Sequence, residues 1–282
     1  MSGGRAIRRW IEAALVETNL LVALAVVALH RFVVLHLGLD VPVATDLVIG
    51  GSTLALYSVD RLFDRAVEGE RSATRSPLRG GVMAATGVVV AIVGLVAAPP
   101  AVRALVVVGA LVSTTYGLPV RRREGVRRWV RLKDLPGVKS WMVAAAVSVA
   151  VVSVPVVWSA APVDARVVVT TAMLFALTAA NAHLFDLRDV AWDRRLEVPT
   201  VPVRWGVGTA RALIVALLLA AMASAAVDAA TVAGPTGLGV VVAALAVVPL
   251  AWRGSPATPA LAWPLVVDGA LVLPWLVASL VG

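Results

Sequence analysis

Apolar residues run along this chain in long blocks rather than in narrow stripes. Nine blocks, at roughly 13–37, 43–63, 82–98, 101–119, 138–159, 165–185, 208–228, 237–252 and 260–281, consist mainly of Ala, Val and Leu. Each comes near the ~20 residues a helix needs to cross a hydrocarbon core about 30 Å thick. None alternates polar and apolar positions with period two, as a membrane-spanning strand would. The pattern predicts an all-α integral membrane protein: one domain over 1–282, built as a bundle of nine transmembrane helices. The breaks between blocks are unequal. Those at Ala98–Ala101 and Ala160–Asp164 are short, whereas Asp64–Gly81, Pro119–Gly137 and Arg188–Gly208 are long and hold most of the charge.

Composition agrees with that reading. The chain is 60% hydrophobic with a mean hydropathy of +0.91, far too apolar for a water-soluble domain of this length. Arg5, Arg8 and Arg9 precede the first block in the manner of a signal peptide. The block is long and lacks a small-residue cleavage site, so a retained first helix is expected. The net charge of +8 would suggest nucleic acid in a soluble protein, but here it follows topology. With nine spans and a cytoplasmic N-terminus, only Arg31, Arg103 and Arg166 of the 25 Lys and Arg fall outside, as the positive-inside rule requires. No nucleic-acid partner is implied; the bilayer is. Heavy use of Ala, Val and Arg with only two lysines points to a GC-rich bacterial genome, and so to a plasma membrane.

Carboxylates are the candidate chemistry. Cysteine is absent, and His30, His36 and His183 are scattered. The second block ends in "YSVDRLFDR" (57–65) and the sixth in "FDLRDVAWDRR" (185–195). Asp60 and Asp64 are four apart; Asp186, Asp189 and Asp193 are three and then four apart. Helical geometry puts each set on one face. Like charges there repel, and the C-terminal end of a helix dipole also disfavours anions. A cation is therefore expected at each set. Arginines adjacent in sequence point to other parts of the helix surface, which leaves a divalent ion as the alternative. All-oxygen ligands suit Mg²⁺, which is held by a few carboxylates together with substrate phosphates. Matching polar ends on two helices four blocks apart suggest a site between two halves of the molecule.

With these motifs on the page, the sequence resembles the UbiA superfamily of intramembrane prenyltransferases. That family has nine transmembrane helices and two Asp-rich motifs, N-D-x-x-D-x-x-x-D after helix 2 and D-x-x-x-D after helix 6. Asp189-x-x-x-Asp193 fits the second, with Asp186 as an extra acid upstream. "TRSPLRGG" (74–81), "YGLP" (116–119), "RLKDLPGVK" (131–139) and "VPTVPVRWG" (198–206) are similar to further family segments, in the right order. The first motif departs: Leu56 and Tyr57 stand where Asn and Asp are expected, so that Tyr57, Asn181 or water would have to complete the coordination.

The resemblance implies Mg²⁺ held by Asp60, Asp64, Asp186, Asp189 and Asp193, with a prenyl diphosphate bridging the two sets. Lys133, Lys139 and Arg131, then Arg75 and Arg79, are the expected diphosphate contacts, and Tyr116 is expected to line the site. Trp141, Phe175, Tyr116 and Trp192 are candidates for shielding an allylic cation. The implied reaction is transfer of an isoprenyl group to an aromatic, quinone-precursor or lipid acceptor. The alternative is a terpene cyclase of the same superfamily, which ionises the diphosphate and needs no acceptor. Asp268, inside the last block, either activates an acceptor, binds a polar headgroup or pairs with Arg253. Asp228 is expected to be solvated at the outer end of its helix.

Overall fold

A computed structural model describes residues 15, 17–68, 76–122, 129–231, 235–255 and 257–281. Arg75, and the arginines before the first block, lie outside the described residues. The chain forms the helices α1 (Leu20–Leu37), α2 (Ala44–Glu68), α3 (Pro77–Val96), α4 (Pro100–Gly117), α5 (Val138–Trp158), α6 (Ala165–Arg195), α7 (Val207–Thr231), α8 (Leu238–Arg253), α9 (Ala262–Ala270) and α10 (Leu273–Val281), with a single further turn at Val201–Arg204. Proline at the first position starts α3 and α4, where its missing N–H costs nothing. Ser76 and Asp164 cap α3 and α6 by accepting from the N–H groups of Arg79 and Val167. Among the described residues one strand pairing interrupts the helices. Pro119–Arg122 pairs antiparallel with Trp129–Arg131 in a short ribbon between α4 and α5, which the apolar pattern did not predict.

The helices close into a ring. α1 packs on α2, α4 reaches both α2 and α5, and α5, α6, α7 and α8 follow as neighbours until α10 returns to α1. α6 is the most enclosed long helix, with Met173, Leu174, Leu177, Ala179, Ala180 and Leu184 fully buried. α4 is peripheral, with only Val102 and Gly117 buried. The tightest pairing is α2 on α3. A Cβ on Gly51 would lie 2.4 Å from the backbone nitrogen of Ala91, and one on Gly87 2.4 Å from that of Ala55. Only glycine permits this approach, the usual basis of close helix association in lipid.

Among the described residues, six helices are long and apolar enough to cross a bilayer: α1, α3, α4, α5, α6 and α7. α9 and α10 meet the same requirement only when taken together, bent by 41° at a short break. Nine separate spans were expected. α2 is long enough, but its last turns carry Asp60, Arg61, Asp64 and Arg65. α8, with 16 residues, reaches about 24 Å at 1.5 Å per residue. Boundaries also move. The first described helix begins at Leu20, after Asn19 in a left-handed conformation (φ 61°), and the expected start near residue 13 lies outside the described residues. The sixth runs ten residues past its apolar block, from Ala165 to Arg195.

Candidate active site at one end of the bundle

The C-terminal ends of α2, α4 and α6 and the N-terminal end of α5 meet at one end of the molecule. The segment from the ribbon into α5 threads between them. The Lys133 ammonium sits between the two carboxylates of α2, 2.5 Å from Asp60 Oδ1 and 2.7 Å from Asp64 Oδ1. Arg131 Nη1 lies 2.5 Å from the same Asp64 oxygen. Lys133 and Arg131 are both buried. The end of α4 fits closely against this set: a Cβ on Gly117 would come within 3.1 Å of Asp60 Oδ1.

The α6 set is arranged differently. Asp186 is buried and accepts a hydrogen bond from Ser140 Oγ at 2.6 Å. His183 Nδ1 is 3.3 Å from the same oxygen, Oδ2. Its other oxygen, Oδ1, is buried with no hydrogen-bond partner, and the nearest ammonium, that of Lys139, is 3.7 Å away. Asp189 is held by two 2.7 Å bonds from Arg188. This corrects the expectation that arginines next in sequence point elsewhere: long side chains at the end of a helix fold back onto a neighbouring carboxylate. Asp193 accepts from Thr200 Oγ1 at 3.2 Å.

A small niche lies between Lys133 and Asp186 of the α6 set. Its wall includes Lys133, Gly137, Lys139, Ser140, Asp186 and Thr200. Lys139 interacts electrostatically with Asp186, Asp193 and Asp189 on α6 and also with Asp64 on α2. Tyr116 donates to the backbone carbonyl of Lys139 at 3.1 Å, which ties α4 to α5. Gly137, in the left-handed region at φ 72°, lets the chain turn into α5 so that the positive end of that helix opens on the niche. Deeper in, Trp141 stacks on Phe175 with ring centres 5.8 Å apart and meets His183 edge-on at 5.1 Å.

Other expected residues lie elsewhere. Arg79 pairs with Glu17 at 3.1 Å and is half-exposed, away from the carboxylates. Asn181 donates to the carbonyl of Val267 at 3.0 Å, so it braces α6 against α9 rather than approaching the α2 set. Tyr57 lies in electrostatic reach of Asp268 and Asp60. Asp268 is buried and faces Arg188 and Arg61, not Arg253. Asp228 is buried rather than solvated, 3.3 Å from His36 Nε2 and 3.7 Å from Arg166 Nε. Sequence reasoning missed Ser140, His183 and Thr200. Ser140 follows Lys139, and Thr200 stands in the "VPT" segment, so both were adjacent to motifs already in view.

The donor chemistry suits a hard divalent cation at the α6 set: oxygen ligands only, and one buried carboxylate oxygen without a partner. Among the described residues no three His, Asp or Glu side chains close around a single point. Long apolar helices around a polar, doubly acidic end define a multi-pass membrane protein.

The comparisons with known proteins identify the family. The profile of the UbiA prenyltransferase family matches residues 19–267, and the chain belongs to that family. No curated protein matches it in sequence. In fold it is similar to a UbiA homolog from Aeropyrum pernix K1, at 14% identity and TM-score 0.65 over 91% of this chain and 98% of that one. It is likewise similar to a UbiA homolog from Archaeoglobus fulgidus bound to DMAPP and Mg²⁺, at 14% identity and TM-score 0.63 over 94% and 99%. A digeranylgeranylglyceryl phosphate synthase matches at 10% identity and TM-score 0.56 over 97% and 98%.

Proposed function

We propose that the protein is a Mg²⁺-dependent intramembrane prenyltransferase that takes a prenyl diphosphate and passes its isoprenyl group to an acceptor drawn from the membrane. One observation carries this reading. Lys133, which bridges Asp60 and Asp64 of α2, and Lys139, 3.7 Å from Asp186 of α6, line one niche at the start of α5. Support comes from UbiA homologs whose solved structures hold DMAPP or GPP with Mg²⁺.

In this reading Asp186, Asp189 and Asp193 hold the metal, and Asp60 and Asp64 face them across the niche. When bound, Mg²⁺ neutralises the diphosphate and makes it a better leaving group. Lys139 and the N-terminal end of α5 bind phosphate oxygens and offset the charge that grows on them as the allylic C–O bond breaks. Arg188 keeps Asp189 in place. Ser140 fixes the rotamer of Asp186 and leaves its second oxygen for the cation. Trp141 and Phe175 form an apolar, π-rich wall beyond the niche, which excludes water from a carbocation and attracts its charge. The acceptor is aromatic, a quinone precursor or a lipid. We place nine spans in the membrane, counting α2, α8 and the bent α9–α10 pair with the six apolar helices, the niche at the cytoplasmic face of a plasma membrane, and the N-terminus on that side.

Leu56 and Tyr57 in the first motif favour a second reading, cyclisation without an acceptor. One experiment addresses both. Purified protein is incubated with DMAPP, geranyl or geranylgeranyl diphosphate and Mg²⁺, with and without membrane lipid extract. Pyrophosphate release that depends on extract supports transfer. Release without it, with terpene products, supports cyclisation. No release under any condition, or full activity in an Asp189→Ala/Asp193→Ala variant, overturns the mechanism.

A further inference from the structure

The two acidic sets are not equivalent. At the α2 set two carboxylates meet two buried cations. Lys133 bridges Asp60 and Asp64 at 2.5 and 2.7 Å, and Arg131 adds a 2.5 Å contact to Asp64. At the α6 set three carboxylates meet Arg188 at hydrogen-bonding distance and Lys139 only at 3.7 Å, and a buried oxygen of Asp186 has no hydrogen-bond partner. The first set is electrically complete; the second is short of positive charge.

The sequence gives the same asymmetry. The first motif has lost its Asn and Asp to Leu56 and Tyr57. Leucine offers no ligand atom, and a phenol ionises only near pH 10 and is a poor ligand for a hard cation. What remains is a pair of carboxylates spaced to hold one ammonium. An ion entering there would have to displace a buried lysine, whose charge would then lack its partners.

We propose that Lys133, assisted by Arg131, supplies at the α2 set the positive charge that a metal ion supplies in the family pattern, so that the protein engages its diphosphate with metal at the α6 set alone. This rests on the functional reading above. Lys133 lines the niche together with Lys139 and Ser140, so its ammonium faces a bound diphosphate while Asp60 and Asp64 hold it. Asp60 and Asp64 are then positioning residues for a lysine rather than metal ligands.

The test counts metal ions. Wild-type protein in detergent is equilibrated with Mn²⁺ and geranyl S-thiolodiphosphate, an analogue that ionises very slowly, and bound Mn²⁺ is measured by electron paramagnetic resonance. One ion per chain is expected, and Asp189→Asn/Asp193→Asn should lose it. Lys133→Arg should keep a stoichiometry of one. Lys133→Met should bind the analogue at least tenfold more weakly at low Mn²⁺ and recover binding as a second ion is taken up at millimolar concentration. Two ions per wild-type chain, or a Lys133→Met protein indistinguishable from wild type, would overturn the inference and leave the functional reading standing. No uptake of Mn²⁺ with the analogue would overturn both.

Discussion

At the scale of the residue, the clearest dependence is on Asp186. Its buried Oδ1 lacks a hydrogen-bond partner while Oδ2 is fixed by Ser140. Asp186→Asn keeps the shape and removes the charge. Mg²⁺-dependent pyrophosphate release should fall by about 10²–10³-fold, the usual scale for losing one preorganised electrostatic contact, with thermal stability in detergent little changed. Ser140→Ala frees the Asp186 rotamer and should cost about 10–100-fold in metal affinity, read by Mn²⁺ titration. The carboxylates themselves were legible in the sequence, because helical spacing and the end of an apolar block mark them. Their counter-ions were not. Lys133 lies 73 positions from Asp60, and no local pattern joins them. Asp228 misled for the same reason. Being at the outer end of a helix suggested water, whereas His36 and Arg166 come from distant parts of the chain to enclose it. Asp228→Leu should destabilise the fold by about 3–5 kcal/mol, since it strands the buried partners of a broken ion cluster; thermal unfolding in detergent measures this.

At the scale of the element, the α2–α3 seam holds the first acidic set in place. Gly51 and Gly87 face each other where any Cβ would strike backbone atoms at 2.4 Å. Backbone cannot swing aside as a side-chain tip can. Gly51→Val should therefore separate the helices and lower stability by about 1–3 kcal/mol, seen as a lower melting temperature, with a larger loss of activity because Asp60 and Asp64 lie on the same helix. The sequence placed this helix well but could not show its partner, since glycine in an apolar block is equally consistent with lipid exposure. Helix ends were less legible than helix centres. The apolar block of α6 stops at residue 185, yet the helix continues to Arg195, because Asp186 and Asp193 are sheltered by neighbouring elements instead of lying in water. The last block reads as continuous but breaks between α9 and α10, because Pro274 has no N–H to give to the carbonyl of Ala270, where α9 ends.

At the scale of the whole molecule, the ring of helices explains how both acidic ends come to the start of α5: α2 and α6 each border that helix. Fold class was legible because a bilayer imposes a crude, repeated requirement on length and polarity. The number of spans was harder, because α2 and α8 are packed inside the ring or shortened and need not meet that requirement alone. The proposed count is open to direct measurement. Nine spans with a cytoplasmic N-terminus place the C-terminus outside, so an alkaline phosphatase fusion after residue 282 should be active and a green fluorescent protein fusion there dark. The reverse result would remove one span or invert the topology.

α6 runs unbroken from Ala165 to Arg195, about 46 Å at 1.5 Å per residue. Arg166 at one rim is bound to the His36 carbonyl and to Asp228, and Asp193 at the other belongs to the acidic set. One continuous helix thus joins the two rims. A variant that unseats Arg166 is therefore expected to disturb Asp186, Asp189 and Asp193 at the opposite end of the bundle as well.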